Sequence, residues 1–111
     1  MNPELTKNVP RSPWLRSVWA AVNWLALPPG APSRLGVITG RKLGNAVVRA
    51  RARRLLREAF RLHQHDLAQP LDLVLVARPS IVGKKYTSVE GDFMVALGRA
   101  RLLKARPVVN E

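Results

Sequence analysis

This 111-residue chain contains no cysteine, and between Met1 and Arg57 its only carboxylate is Glu4. Without cysteine there can be neither a disulfide framework nor a thiolate metal site, and the expected setting is a reducing cytoplasm. Without acids, the N-terminal half has almost nothing to neutralise its arginines. Also missing is any apolar run approaching the roughly 20 residues of a membrane span. Residues 14–27 come nearest, but Arg16 and Asn23 interrupt them, and Pro28-Pro29-Gly30 follows where a cleaved leader would carry small residues. That stretch is expected to form core structure, with no membrane association.

What is present is positive charge. Nineteen Lys and Arg against seven Asp and Glu give a net +12. Arg outnumbers Lys by fourteen to five, and Arg is the better fork for phosphate and the better stacking partner for bases. A folded surface so one-sided repels itself, and a polyanion would relieve that repulsion. Apolar residues make up 47%, enough for one modest core. The length suits one domain, expected over residues 13–106, with a loose segment at 1–12 and a short tail at 107–111.

Along the chain, Ser12-Pro13 reads as a helix start, predicting a short helix over 13–21. Residues 24–27 and 34–39 read as strands joined by a turn-rich loop, a hairpin. The run Gly40-Arg41-Lys42-Leu43-Gly44 leads into a long helix from about Asn45 to Gln64–Leu67. Residues 72–77 (DLVLVA) form a continuous apolar run that suits a central strand buried on both faces. A last helix is predicted from Thr87, with Thr87 and Glu90 as a capping box, Val89, Phe93, Ala96, Leu97, Ala100 and Leu103 as its core positions, and Pro107 as its stop. The predicted architecture is a two-layer α/β (α+β) sandwich, a small mixed sheet packed by helices in the order α-β-β-α-β-α.

On a helical wheel at 100° per residue, Val48, Ala52, Leu55, Leu56, Ala59 and Leu62 gather in one arc. Arg49, Arg53, Arg54, Arg57 and Arg61 spread over the opposite arc, with Arg51 on a flank. Arg49, Arg53, Arg57 and Arg61 step by four and make a ridge about 18 Å long. A solvated face held by salt bridges would need carboxylates, and Glu58 alone cannot pair six arginines. Like charges four apart are mildly destabilising, so the ridge calls for a compensating ligand, and the phosphates of a nucleic-acid strand fit it.

Residues 41–61 (RKLGNAVVRARARRLLREAFR) resemble the signature of the bacterial ribonuclease P protein subunit, in which a Lys-Lys-x-Gly-Asn-Ala-Val segment precedes Arg-Asn-Arg, Lys-Arg and Arg-Glu. Arg34-Leu35-Gly36-Val37 and residues 72–79 resemble the same family, so the likeness spans residues 34–79 and, more loosely, the final helix. It implies an accessory subunit of a ribonucleoprotein endoribonuclease. A catalytic RNA with bound Mg2+ cuts the 5′ leader from precursor tRNA, and the protein binds that RNA and holds the leader in a cleft between the sheet and the first helix. It also implies a left-handed β-α-β crossover, against the usual hand. The RNA-binding residues carried over are Arg41, Lys42, Arg49, Arg51, Arg53, Arg54, Arg57 and Arg61. Two departures stand out. Ala50 occupies the position of the middle Asn, and the family's phenylalanines spaced by four are replaced near the N-terminus by Leu15/Trp19 or Trp14/Val18. Trp14, Trp19 and Trp24 are the candidates for leader contact, since single strands stack on aromatic rings.

Catalysis by the chain's own side chains is not expected. Hydrolysis by bound metal needs clustered carboxylates, whereas Asp66, Asp72, Glu90 and Asp92 lie on separate elements. His63 and His65 point about 200° apart on a helix and read as surface residues at a helix end, where His suits the dipole. The residues from Gly36 to Gly40 read as a strand-to-turn pattern rather than a phosphate loop. No catalytic residue, protein-held metal, cofactor or obligate protein partner is expected. The rival readings are a structural, ribosomal-type RNA-binding protein and a basic helix lying on an anionic membrane.

Overall fold

The computed structural model describes residues 11–104, so most of the segment 1–12, Pro107 and the tail 107–111 lie outside it. Strands β1 (Leu15–Arg16), β2 (Ala20–Ala26), β3 (Arg34–Ile38) and β4 (Leu71–Ala77) form one sheet in the order β1-β2-β4-β3. Helix α1 (Ala46–His63) carries the chain from β3 to its parallel neighbour β4, and α2 (Tyr86–Arg99) follows β4. The mixed sheet packed by helices is the expected class.

The predicted helix over 13–21 is not formed. Those residues make β1, a turn and the start of β2, paired through Leu15↔Val22 and Arg16↔Ala21, so the observed order is β-β-β-α-β-α. Trp and Val suit a pleated surface. Ser17 and Ala20 also close the turn, the Ser17 N–H donating to the Ala20 carbonyl at 2.8 Å. Residues 11 and 12, expected to be loose, continue this sheet. The Ser12 N–H donates to the Trp24 carbonyl, and the Trp24 N–H donates back to the Ser12 hydroxyl.

The predicted hairpin of β2 and β3 is also absent, because β4 inserts between them. The loop through Pro28, Pro29 and Gly30 therefore spans two strand spacings, about 10 Å, and β4 satisfies its backbone groups on both edges. The faces of β4 differ. Leu71, Leu73, Leu75 and Ala77 are buried, whereas Asp72, Val74 and Val76 are half-buried. β4 is thus central but not buried on both faces, because both helices lie against one side. There Val22, Leu73, Leu75, Ala52, Leu56, Ala59, Phe93, Ala96 and Leu97 share one core. Each fully buried leucine contributes roughly 1.5–3 kcal/mol of transfer free energy.

Helix α1 begins where expected. The Asn45 Oδ1 accepts the Val48 N–H at 3.0 Å, an N-cap. Gly44 makes the corner with φ +137, and a Cβ there would stand 3.3 Å from the Val48 side chain. Leu62, assigned to the buried arc, is 47% exposed. It lies about 90° round the helix from the centre of the buried Ala52, Leu56 and Ala59, past the edge of the sheet's cover. The capping box at Thr87 does not form: α2 starts at Tyr86 after Lys85 with no side-chain cap, and Glu90 is engaged elsewhere. The helix stops before Pro107 can act. Arg101 turns the chain with φ +59, and the Leu102 N–H donates to the Leu97 carbonyl. Among the described residues, no helix is long and apolar enough to cross a membrane.

Candidate nucleic-acid interface

The sheet register sorts residues onto two faces. One carries the core, and no helix covers the other among the described residues. Ala21, Asn23 and Leu25 of β2, Asp72, Val74 and Val76 of β4, and Arg34, Gly36 and Ile38 of β3 lie on this second face, open along β3 where Ile38 is exposed, while Asn23 and Leu25 are buried. Arg11 crosses its lower end. Its Nε donates to the Asn23 Oδ1 at 3.0 Å, and its guanidinium also reaches the Asp72 carboxylate at 3.3 Å. Arg34 pairs with the same carboxylate at 3.1 Å. Of the three candidate tryptophans, Trp19 and Trp24 are half-buried against the core, and only Trp14 is largely exposed, at 50%.

Helix α1 presents its arginines in three directions. Arg54 and Arg57 are exposed and point away from the sheet, and Ala50 lies on the same outward face. An amide at position 50 would therefore meet solvent or a ligand, not another part of the chain. Arg49 and Arg53 are half-buried on the flank toward β3, where Arg53 donates to the Thr39 hydroxyl at 2.7 Å. Arg51 lies on the opposite flank and donates to the Lys84 carbonyl at 2.9 Å. Arg41 and Lys42, on the single 3-10 turn before Gly44, are exposed. The ridge at steps of four thus winds from the β3 flank to the outward face, because four residues overshoot a turn by about 40°.

Arg61, its last member, is not free. It grips Glu58 through two bonds of 2.6 and 3.0 Å. This bond holds the Glu58 carboxyl below its ordinary range and pushes the Arg61 guanidinium up. At this exposed site the pair contributes little to stability.

The remaining carboxylates are occupied as well. The imidazole of His63 lies between Asp66, 3.0 Å from Nδ1, and Glu90, 2.8 Å from Nε2. A carboxylate accepts, so both contacts are hydrogen bonds together only when each ring nitrogen carries a proton, and the pair of carboxylates favours the imidazolium form. The bond to Asp66, then that to Glu90, raises its pKa. Glu90 is held low by His63 and then by Tyr86, whose hydroxyl donates to it at 3.1 Å. Tyr86 is pushed up to about 12, chiefly by burial and then by Glu90. His63 is therefore no idle surface residue but a clamp joining α1 to α2. The spacing of His63 and Asp66 hinted at half of this clamp, but the approach of Glu90 from α2 has no local signal in the sequence.

Asp92 fixes the β1–β2 turn. The Ser17 hydroxyl donates to it at 2.6 Å, and the Val18 and Trp19 N–H groups donate at 3.3 and 3.2 Å. Arg78 donates to the Ser17 carbonyl and Ser80 to the Val18 carbonyl. All five carboxylates among the described residues are thus committed to internal partners. None pairs with Arg41, Lys42, Arg49, Arg51, Arg53, Arg54 or Arg57. Among the described residues, no three His, Asp or Glu side chains are placed to share a metal ion.

Known proteins resemble this chain in sequence and in shape. The model of a family described as Ribonuclease P matches residues 15–101. A "Ribonuclease P protein component" from Brevibacillus brevis is 39% identical over 80 residues, covering 72% of this chain and 64% of the relative. One from Clostridium novyi is 41% identical, covering 63% of this chain and 62% of the relative. These matches span just under two thirds of those relatives' length. A third, from Symbiobacterium thermophilum, is 39% identical over 77% of this chain and 74% of its own. Among solved structures, the RNase P protein of Staphylococcus aureus superposes with a TM-score of 0.73 at 21% identity, covering 94% of each chain. That of Thermotoga maritima gives 0.69 at 24% identity, covering 87% of this chain and 88% of its own. At these identities the structural likeness speaks for the fold.

Proposed function

The chain belongs to the ribonuclease P protein family, and from that premise we propose that it is the protein subunit of ribonuclease P, acting on precursor tRNA in the cytoplasm. It binds the catalytic RNA with α1 and holds the 5′ leader of precursor tRNA on the open face of the sheet. The observation that carries this reading is the commitment of every described carboxylate to an internal partner, so that among the described residues no carboxylate pairs with the arginines of α1 other than Arg61, or with Arg41 and Lys42 of the turn before it. A row of guanidinium groups about one helix long suits successive phosphates. The open sheet face, with Trp14 exposed beside it and Arg11 and Arg34 at its end, suits a single strand. In this reading the leader surface is built from the sheet and the β1–β2 hairpin, since no helix forms over 13–21. Chemistry at the scissile phosphate belongs to the RNA and its Mg2+, and the protein contributes binding and position.

The test is reconstitution with bacterial ribonuclease P RNA and precursor tRNA at low magnesium. The expected result is faster leader removal when the chain is added. Tight RNA binding without any gain in cleavage would point instead to a structural, ribosomal-type role.

A further inference from the structure

Beside the arginine face lies a feature that charge alone does not call for. An apolar cleft of about 140 Å³ opens between the first turns of α1 and the loop after β4. Val48 and Ala52 form one wall and Ile81 and Val82 the other, with Gly83 at the rim in the left-handed region, φ +80. Its floor is core, since Ala52 and Ile81 are buried, but its outer wall is open: Val82 is 43% exposed. The Arg51 guanidinium, tied to the Lys84 carbonyl, is held at the mouth, and the exposed Lys84 and Lys85 follow on the chain. No carboxylate lines the cleft.

We propose that this cleft is a nucleobase pocket, receiving one unstacked base of the RNA strand whose phosphates run along Arg54 and Arg57. The inference rests on the RNA-binding reading of α1. Two properties must be met together: the occupant has an apolar, ring-sized body, and it arrives attached to a polyanion. A cavity of roughly 150 Å³ lined by aliphatic side chains accepts a benzene-sized ring, and RNA is recognised largely through unpaired bases laid against apolar or guanidinium surfaces. The planar guanidinium of Arg51, pinned by its bond to the Lys84 carbonyl, is placed to stack on the base while the two lysines meet flanking phosphates. Most of the lining offers no hydrogen-bonding group, so the pocket selects for the presence of a base more than for its identity.

The experiment follows the Val48, Ile81 and Val82 methyl resonances of the full-length chain by NMR. The probes are a single-stranded oligoadenylate and an abasic ribose-phosphate strand of equal length and charge. The expected result is that the adenylate shifts all three residues while the abasic strand leaves them in place, although both strands shift resonances near Arg54 and Arg57. In Val82→Ser, checked by its unfolding midpoint, the preference for the base-bearing strand is expected to shrink while the salt dependence of binding stays the same. Equal shifts with both strands, or movement near Arg54 and Arg57 with a silent cleft, would overturn the pocket while leaving the RNA-binding reading standing. If neither strand shifts any resonance on α1, the RNA-binding reading fails first.

Discussion

Arg57 and Arg61 stand one helical turn apart on the same basic face, yet they differ in what they already hold. Among the described residues no carboxylate pairs with Arg57, whereas Arg61 is bound twice by Glu58. Replacing each by alanine therefore separates phosphate contact from nominal charge. A protein that neutralises one phosphate adds about 0.7 (single strand) to 0.9 (duplex) to the slope of log affinity against log salt. Arg57→Ala is thus expected to flatten that slope by about 0.7–0.9. Across a fourfold rise in salt, the variant should lose roughly threefold less affinity than the parent chain. Arg61→Ala should flatten it far less, and Glu58→Gln, which frees Arg61, should steepen it. Arg53→Ala is expected to flatten it by no more than Arg57→Ala does, and also to cost roughly 1 kcal/mol of stability, since its guanidinium is bonded to Thr39. The assay is fluorescence anisotropy of labelled ribonuclease P RNA at several potassium chloride concentrations, beside urea unfolding of each variant. If Arg57→Ala left the slope unchanged while Arg61→Ala flattened it, the assignment of the outward face to phosphate would be wrong.

Three further outcomes follow from the internal contacts. His63 has a raised pKa in the fold, so its stabilisation is complete below the ordinary histidine value and is lost as pH rises through the folded value; urea midpoints should fall over that interval, and His63→Phe should abolish the dependence. Asp92→Ala removes an anionic acceptor from the buried Ser17 hydroxyl and two N–H groups, and should cost about 2 kcal/mol, with increased amide exchange at Val18 and Trp19; a stability unchanged within 0.5 kcal/mol (the ordinary scatter of surface substitutions) would mean that the turn stands without α2. Asn45→Ala removes the N-cap of α1 and should cost about 1 kcal/mol, read by thermal unfolding, while Asn45→Ser should restore most of it.

The parts of the fold that were legible in the sequence are those whose causes are local. The N-cap at Asn45, the helical arc from Val48 to Ala59, the termination before Gln69-Pro70 and the apolar run of β4 each carry their signal within a few residues. The misread parts depend on distant partners. Residues 13–21 have spacing that either a helix or a strand could use; β2 drew them into the sheet, and Asp92 of α2 latched the turn. The pairing of β2 with β4 rather than β3 was likewise decided by the best apolar strand in the chain, some 45 residues away, which no turn signal near Pro28 could announce. Thr87-x-x-Glu90 had the spacing of a capping box, but His63 and Tyr86 compete for the same carboxylate. An imidazolium partner outweighs a backbone amide, because charge-assisted bonds are about twice as strong as neutral ones.

The basic face followed the same division. Its existence was readable because it is a matter of composition along one helix, and its resemblance to a family signature placed the cations in order. How freely each cation can act was not readable, because that depends on where the few acids go. Five carboxylates could have been spread along α1 to quench it. Instead, Asp72 is held by Arg11 and Arg34, Asp92 by the hairpin turn, and Asp66 and Glu90 by one histidine, while Glu58 quenches Arg61 alone. The same contacts that join α1 to α2 and the hairpin to the sheet therefore keep negative charge off the outward face of α1. Stability and polyanion binding are coupled through that allocation. A substitution that releases an acid, such as His63→Phe, should then weaken RNA binding even though His63 touches no phosphate, because it frees two carboxylates near the C-terminal end of the ridge.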